Sequence, residues 1–354
     1  MSSTIGKLFT VTTFGESHGQ AVGAIIDGVT PGLELDEADI QHELNRRRPG
    51  QSDITTPRKE ADKAQIMSGV FEGKTTGHPI MVMVMNTSMR PYDYSDIMNL
   101  YRPGHADFTF NKKYEIRDYR GSGRASGRET TARVAAGAIA KKMLSQYGIK
   151  IQGWVQRLGG IECKTFDADV IEQNPVRACD PDAAILMADK IRQSIAEKNS
   201  VGGIIKCCVS GMIPGLGEPV FDKLEADLAK AVLSVGATKG IEFGAGFAAP
   251  DMTGKEHNDE MDASGFLSNN AGGTLGGIST GQDIVFRVAV KPTSSIAQPQ
   301  RTVDVDGNEV ECITEGRHDP CICPRIVPVI EAMAAITLID HLKRHISLTM
   351  NARS

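Results

Sequence analysis

Several residues in this chain have types and spacings suited to proton transfer and anion binding. His105 sits in RPGHAD, residues 102–107, beside Arg102. A glycine-rich run follows, RDYRGSGRASGRET at 117–130, in which Arg120, Arg124 and Arg128 alternate with Gly121, Gly123 and Gly127. Arginine offers forked donors that match phosphate or carboxylate oxygens. A glycine-rich loop entering a helix exposes unpaired N–H groups at the positive end of the helix dipole. Histidine exchanges protons near neutral pH. Together these predict an anion site with a proton donor beside it. Ser17 and His18 in GESHG, 15–19, and Arg317, His318 and Asp319 in GRHDPC, 316–321, are further acid–base candidates. Arg46, Arg47 and Arg48 precede a Gly/Ser/Thr-rich loop at 50–56 and read as a lip over an anionic ligand. Lys291, Pro292, Thr293, Ser294 and Ser295 form KPTSS, a lysine and three hydroxyls on a bend stiffened by proline, suited to a phosphate or a polar cofactor. A single glycine or arginine among these is explained by a turn or a solvated surface; the whole cluster is not.

The elements that must position these groups can be read from periodicity. Apolar runs at 8–14 and 21–26 predict two strands with GESHG at the tip between them. A helix is predicted over 36–47, capped by Asp36 and stopped by Pro49. IMVMVM before residue 86 reads as a buried strand, and 86–101 as a polar cover. Ala132, Ala135, Ala136, Ile139, Ala140, Met143 and Leu144 recur on one helical face. Their helix should start near Gly127, with a capping box of Ser126 and Glu129, and end at Gly148. Strands are predicted at 149–158, 202–210, 241–247 and 284–290, helices at 181–198, 221–235 and 326–345, and a hairpin over 301–313. The last helix shows one apolar face, through Ile330, Met333, Ala334, Thr337, Leu338 and His341. Residues 248–270 read as a polar, solvent-exposed excursion. These elements alone leave α+β and α/β both open.

Composition narrows the class. The 354 residues suffice for one large domain or two ordinary ones. A net charge of −5 without a basic tract argues against a nucleic-acid binder, and 5% aromatics against a base-stacking platform. The seven scattered cysteines lack zinc-ribbon spacing and are expected to be reduced thiols of a cytoplasmic protein, neither disulfides nor metal ligands. The first fifteen residues do not have the pattern of a signal peptide. No apolar run approaches the ~18 residues of a membrane span. The glycine spacing after a mostly polar YEIRDY does not fit a dinucleotide loop, and no phosphate-loop motif of nucleotide hydrolases is present.

FGESHG, RRRPG, RPGHAD, DYRGSGRASGRET with its following AAGAIA, NNAGGTLGG, KPTSS, and GRHDPC ahead of EAM stand here in one order. In that order and spacing the chain, from Gly6 to about His345, resembles the chorismate synthase family. The resemblance implies an α+β fold, a β-α-β sandwich with helices packed between two antiparallel sheets, in a single domain spanning 1–354. It implies loss of phosphate and a ring proton from 5-enolpyruvylshikimate-3-phosphate, giving chorismate, with reduced FMN and no net redox change. It assigns His18, beside Ser17, a part towards the flavin. His105 becomes an acid towards the departing phosphate, and Asp319 a group linked to proton removal. Substrate contacts carry over to Arg47, Arg48, Arg102, Ser126, Arg128 and Arg317. FMN contacts carry over to Arg124, Ala125, Ser126, Gly236, Ala237, Gly276, Lys291–Ser295 and Arg317. It further implies a homotetramer, and, because no separate nicotinamide domain is present, an outside reductant for the flavin. Four positions depart from the family pattern. Ala125 replaces a hydroxyl residue, Gly236 an asparagine and Asn270 a histidine, and Asp53 stands where some members carry an arginine that touches substrate or nicotinamide. The alternatives are another flavin- or phosphate-dependent lyase or transferase, and a catalytically silent binder of phosphorylated metabolites or RNA, the charge balance disfavouring RNA.

Overall fold

The computed structural model describes residues 3–56, 58, 60–87, 97–316 and 318–349. In the first half, β1 (Thr4–Ile5), β2 (Thr10–Gly15) and β3 (Ala21–Asp27) precede α1 (Glu37–Arg47). β4 (Ala64–Ile66), a small hairpin of β5 (Val70–Phe71) and β6 (Lys74–Thr75), and β7 (Ile80–Met85) follow, then α2 (Asp107–Tyr114) and α3 (Thr130–Ser145). The second half holds β8 (Lys150–Leu158), β9 (Ile161–Glu162), α4 (Pro181–Ala196), β10 (Gly203–Ser210), α5 (Leu224–Leu233) and β11 (Thr238–Phe243). A short α6 (Gly254–His257) and the small hairpins β12–β13 (Met261–Asp262, Gly265–Phe266) and β14–β15 (Thr274–Leu275, Ile278–Ser279) make the excursion before β16 (Ile284–Val290). The hairpin β17–β18 (Gln300–Val303, Glu309–Cys312) then leads to α7 (Cys323–Thr349).

Two five-stranded sheets result, ordered β1-β2-β3-β7-β4 and β11-β16-β10-β8-β9. Every pairing within them is antiparallel. Helices fill the space between. α3 packs on β2, β3 and β7 of the first sheet, α7 on β8 and β10 of the second, and the two helices pack against each other. This is a β-α-β sandwich. The small residues of α3 make the middle layer thin. A Cβ on Gly137 would stand 2.3 Å from Ala332 Cβ, so only glycine lets the two helices approach this closely.

Three sequence expectations shift. α7 buries side chains all round between residues 323 and 342, because it has a layer on each side rather than a solvent face. Its one apolar face is therefore part of a wholly buried helix. The capping box at α3 is incomplete. Ser126 accepts the Arg128 N–H, but the Glu129 carboxylate turns to Arg133 and Thr13. A 3-10 turn at Gly127–Glu129 leads into the helix. The three arginines at the end of α1 also part company: Arg46 enters the core, Arg47 is buried elsewhere and Arg48 is exposed.

Arg46 belongs to a cluster that joins three helices to the second sheet. Glu331 of α7, 1% exposed, accepts from Arg46 of α1 at 2.5 and 3.0 Å, from Lys141 of α3 at 2.7 Å and from the Gly153 N–H of β8 at 2.8 Å. Glu43 takes a second bond from each cation, at 2.8 Å. Burial alone would push the Glu331 carboxyl up; Lys141 and Arg46 outweigh it and hold it at about 2.

Candidate active site

The loops at one end of the sandwich enclose a cavity of about 610 Å³. The end of α1 contributes Arg47, and the RPGHAD segment contributes Arg102 and His105. The glycine-rich loop brings Arg124, Ala125, Ser126 and Arg128. The turn after α5 adds Gly236 and Ala237, and the bend after β16 adds Lys291, Thr293, Ser294 and Ser295. His318 and Asp319 close the wall just ahead of α7. Six separate segments of the chain thus meet at one void.

The arginines are gripped from behind. Arg102 lies against Asp107, its Nε 2.7 Å from Oδ2 and Nη2 2.9 Å from Oδ1, a bidentate pair. Arg117 sits 3.2 Å from the same carboxylate. Arg47 and Arg128 share Asp62, which is fully enclosed and lies at φ +46°. Arg47 also donates to Thr130 Oγ1 at 3.0 Å and to the Gly127 carbonyl at 2.5 Å. Arg128 donates to Asn86 Oδ1 at 2.8 Å and pairs with Glu60 at 2.8 Å. Burial, then Arg325, weakens Arg47's hold on its proton, and Asp62 works against them. A guanidinium's intrinsic affinity keeps it charged at neutral pH. Asp62 and Asp107 are held down below the usual aspartate range: burial opposes this, and the arginines prevail.

Even so, among the described residues the wall carries eight cations, seven arginines and Lys291, against Glu129 and Asp319. This excess stands inside a chain whose formal net charge is −5. Fixed, partly desolvated donors around a void are what an anion with several negative oxygens requires.

His105 stands between opposing partners. Its Nδ1 is 3.1 Å from Asp107 Oδ1 and 3.2 Å from Arg102 Nη2, and its Nε2 is 2.9 Å from Ser122 Oγ. Burial lowers its proton affinity, Asp107 raises it and Arg102 lowers it; the net is a lowered pKa. His318 is pushed down to about 4, by burial and then by Arg102. Asp319 accepts the Thr56 N–H at 3.0 Å and pairs with Arg325.

Other residues singled out from sequence lie off the wall. Ser17 and His18 sit behind the glycine-rich loop. Ser17 Oγ is 3.1 Å from His18 Nδ1 and 3.1 Å from the Gly121 carbonyl. A Cβ on Gly121 would come within 2.3 Å of the His18 ring, so the glycine is what lets the loop close over it. His18 is shifted down, by burial first and Arg58 second. Arg48 caps the C-terminus of α1 and is exposed. Pro292 shapes its bend without lining the void. Gly276 forms the turn of the β14–β15 hairpin at φ +61°, away from the cavity wall, where the turn itself requires glycine. Arg317 lies outside the described residues. Asp53 pairs with Arg192 at 3.0 Å on the surface, and Asn270 is bonded within the excursion.

Sequence reading missed the carboxylates behind the arginines, Glu60, Asp62 and Asp107. It also missed Arg133, Arg325 and Ser122 in the wall. Asp107 and Ser122 lie inside motifs already marked. Nothing in the local pattern around Asp62 marks its role.

Two comparisons bear on this geometry. The chorismate synthase family model matches residues 9–343. A solved structure titled "Crystal Structure of Chorismate Synthase" superposes with a TM-score of 0.76, at 32% identity, covering 96% of this chain and 93% of that one.

Proposed function

The chain belongs to the chorismate synthase family, carbon–oxygen lyases of aromatic amino acid biosynthesis that use a reduced flavin, and from that premise we propose how its own residues divide the work. Its reaction is the elimination of phosphate and a ring proton from 5-enolpyruvylshikimate-3-phosphate to give chorismate. The observation that carries the assignment of roles is the excess of eight cations over two carboxylates around the cavity. The substrate bears one phosphate and two carboxylates, so its charge has the sign that this excess attracts. Arg47, Arg102 and Arg128 bind and orient it, and the carboxylates behind them keep the guanidiniums from following the ligand.

His105 holds the proton for the departing phosphate. In the free site it is poised neutral; a phosphate dianion arriving next to it raises its proton affinity, so the acid form is made where the leaving oxygen lies. Asp319, fixed by Thr56 and Arg325, receives the ring proton.

The residues present fit FMN. Thr293 Oγ1 and His318 Nε2 are buried without a hydrogen-bond partner among the described residues, and both belong to wall residues. Orphaned polar groups at a cavity need a ligand or water to satisfy them. Ser126, Gly236, Ala237, Lys291 and Thr293–Ser295 would hold the cofactor, with His18 and Ser17 setting the loop from behind. At Gly236 a Cβ would meet nothing within 4 Å, so the departure from asparagine leaves space rather than strain. When bound, the reduced flavin supplies transient electron density that assists C–O cleavage. We further assign the chain a single domain, a homotetrameric and cytoplasmic state, and an outside source of electrons for the flavin.

The test is anaerobic. Protein, photoreduced FMN and 5-enolpyruvylshikimate-3-phosphate are mixed, and chorismate absorbance and free phosphate are followed together. Equal appearance of both, only with reduced flavin, is expected. Binding of flavin and substrate with no release of phosphate would overturn the assigned roles.

A further inference from the structure

Among the described residues, Glu129 is one of two carboxylates on a wall of eight cations. It stands where a capping box would turn it back onto the helix start, yet its oxygens go elsewhere. Oε1 accepts from Thr13 Oγ1 at 3.1 Å, and both oxygens accept from Arg133 Nε, at 3.1 and 2.8 Å. A carboxylate that gives up its local partner in this way joins elements that the chain itself does not join.

Arg124 of the glycine-rich loop donates from Nη2 to Thr13 Oγ1 at 2.8 Å, and that hydroxyl donates on to Glu129. On the other side Arg133 donates from Nη1 to Ser234 Oγ at 2.5 Å and from Nη2 to the Ser234 carbonyl at 3.2 Å. Each of the three Arg133 nitrogens is thus engaged within the protein, so this guanidinium holds structure rather than reaching for a ligand. Ser234 caps α5 and opens the turn that carries Gly236 and Ala237. Ala237, a non-glycine residue at φ +71°, accepts the Lys291 N–H at 2.9 Å. One bonded line therefore runs from Arg124 through β2 and the start of α3 to the turn after α5 and the bend after β16.

We propose that Glu129 is a positioning residue for the flavin, the centre of a strut that fixes the glycine-rich loop and the turn after α5 at the separation the cofactor needs. This rests on the cradle given to FMN above, Ser126, Gly236, Ala237, Lys291 and Thr293–Ser295. Charge and strut make opposite demands. FMN carries a phosphate, so a carboxylate on the wall repels it, and removing that charge alone would tighten binding. As a strut the same carboxylate preorganises donors that the ligand would otherwise have to order, so its loss weakens binding. The sign of the change decides between them.

Equilibrium binding of oxidised FMN, read by fluorescence quenching, and of 5-enolpyruvylshikimate-3-phosphate without flavin, read by calorimetry, are compared in the wild type, Glu129→Gln, Ser234→Ala, their double variant and Lys291→Ala. Glu129→Gln should raise the FMN Kd about tenfold, the worth of one charge-assisted hydrogen bond, and leave the substrate Kd nearly unchanged. Ser234→Ala should raise the FMN Kd about threefold, and the double variant should do little more than Glu129→Gln, because members of one network are not additive. An FMN Kd unchanged or lowered in Glu129→Gln, beside a raised one in Lys291→Ala, would overturn the strut and leave the cradle standing. Effects that multiply in the double variant would overturn it too, as would substrate affinity falling as far as flavin affinity. Wild-type FMN affinity in Lys291→Ala would overturn the cradle, and the strut with it. If Glu129→Gln does not fold, Ser234→Ala decides: a raised FMN Kd with unchanged substrate affinity supports the strut, and an unchanged one overturns it.

Discussion

Arg46 and Arg47 are neighbours in sequence and leave α1 towards opposite kinds of environment. Around Glu331 the cations Arg46 and Lys141 meet the carboxylates Glu43 and Glu331, two charges of each sign in direct contact. Around the cavity Arg47 is one of eight cations facing two carboxylates. Both regions are buried and rich in short ion pairs. The difference is in the balance. A cluster that neutralises itself has nothing left to offer a ligand and serves to fix helices α1, α3 and α7 against β8. A cluster left with surplus charge around empty volume is built for something that arrives from outside.

The comparison breaks most visibly at Glu331. Replacing it with alanine strands Arg46 and Lys141 in the core, and removing one partner of a buried pair costs about 3–5 kcal/mol. Denaturant unfolding of Glu331→Ala should show a loss of that size, while the fraction that remains folded still binds substrate. A loss under about 1 kcal/mol would mean that Glu43 alone satisfies both cations.

The cleft should respond in the other currency. His105→Ala should lose ~10²-fold or more in turnover, as removal of a general acid does, with flavin binding kept and stability little changed. Unchanged turnover would remove the proton-donor role. Smaller still is the effect of one conservative change made at each of the adjacent arginines. Arg47→Lys keeps the charge but gives up a fork that reaches Thr130, Asp62 and Gly127 at once. It should raise the substrate KM about tenfold, the value of roughly one good charge-assisted bond. Arg46→Lys should leave KM alone and lower stability only. If both variants shift the same quantity, the two regions are not separate in kind.

Sequence made the ligand-facing half of this site legible and left its supporting half hidden, for a physical reason. Groups that meet a ligand come in motifs, because several donors must converge within a short stretch: RPGHAD, RGSGRASGRET and KPTSS each deliver a wall segment. Groups that hold those donors need only be close in space. Asp62 supports both Arg47 and Arg128 from a polar segment that carries no pattern of its own. Arg46 read as part of a lip because three arginines run together beside a Gly/Ser/Thr-rich loop, and only the packing of α7 shows that its partner is Glu331. The long strands and α1, α3, α4, α5 and α7 were legible from periodicity, whereas α2 and the short strands β4–β6, β9 and β12–β15 were not. α7 shows one stripe in sequence but is covered on every side, a fact that belongs to the two-sheet arrangement rather than to the helix.

The subtlest difference between the regions is in the pH at which each gives way. His318 in the cleft falls from 6.5 to about 4, so it stays neutral in the fold while the unfolded chain takes up a proton. Protons then favour unfolding, and stability is full above pH 6.5 and declines from there towards 4. His18 and His105 share that direction in or behind the cleft, as does His341 elsewhere. Glu331 runs the same way but lower on the pH scale, from 4.5 down to about 2, so its contribution is full above pH 4.5 and is lost as pH falls towards 2. Asp62 and Asp107 join that lower stage from the cleft. At neutral pH neither stage is felt. Urea midpoints measured on acidifying should therefore fall in two stages. His318→Asn should flatten part of the upper stage and Glu331→Gln part of the lower. Inorganic phosphate sharpens the contrast: bound among the cleft cations it raises the proton affinity of the histidines beside it and shrinks the upper slope, but it has no route to Glu331. An upper slope that neither His318→Asn nor phosphate alters would place the proton refusal outside the cleft and dissolve the distinction drawn between the two buried clusters.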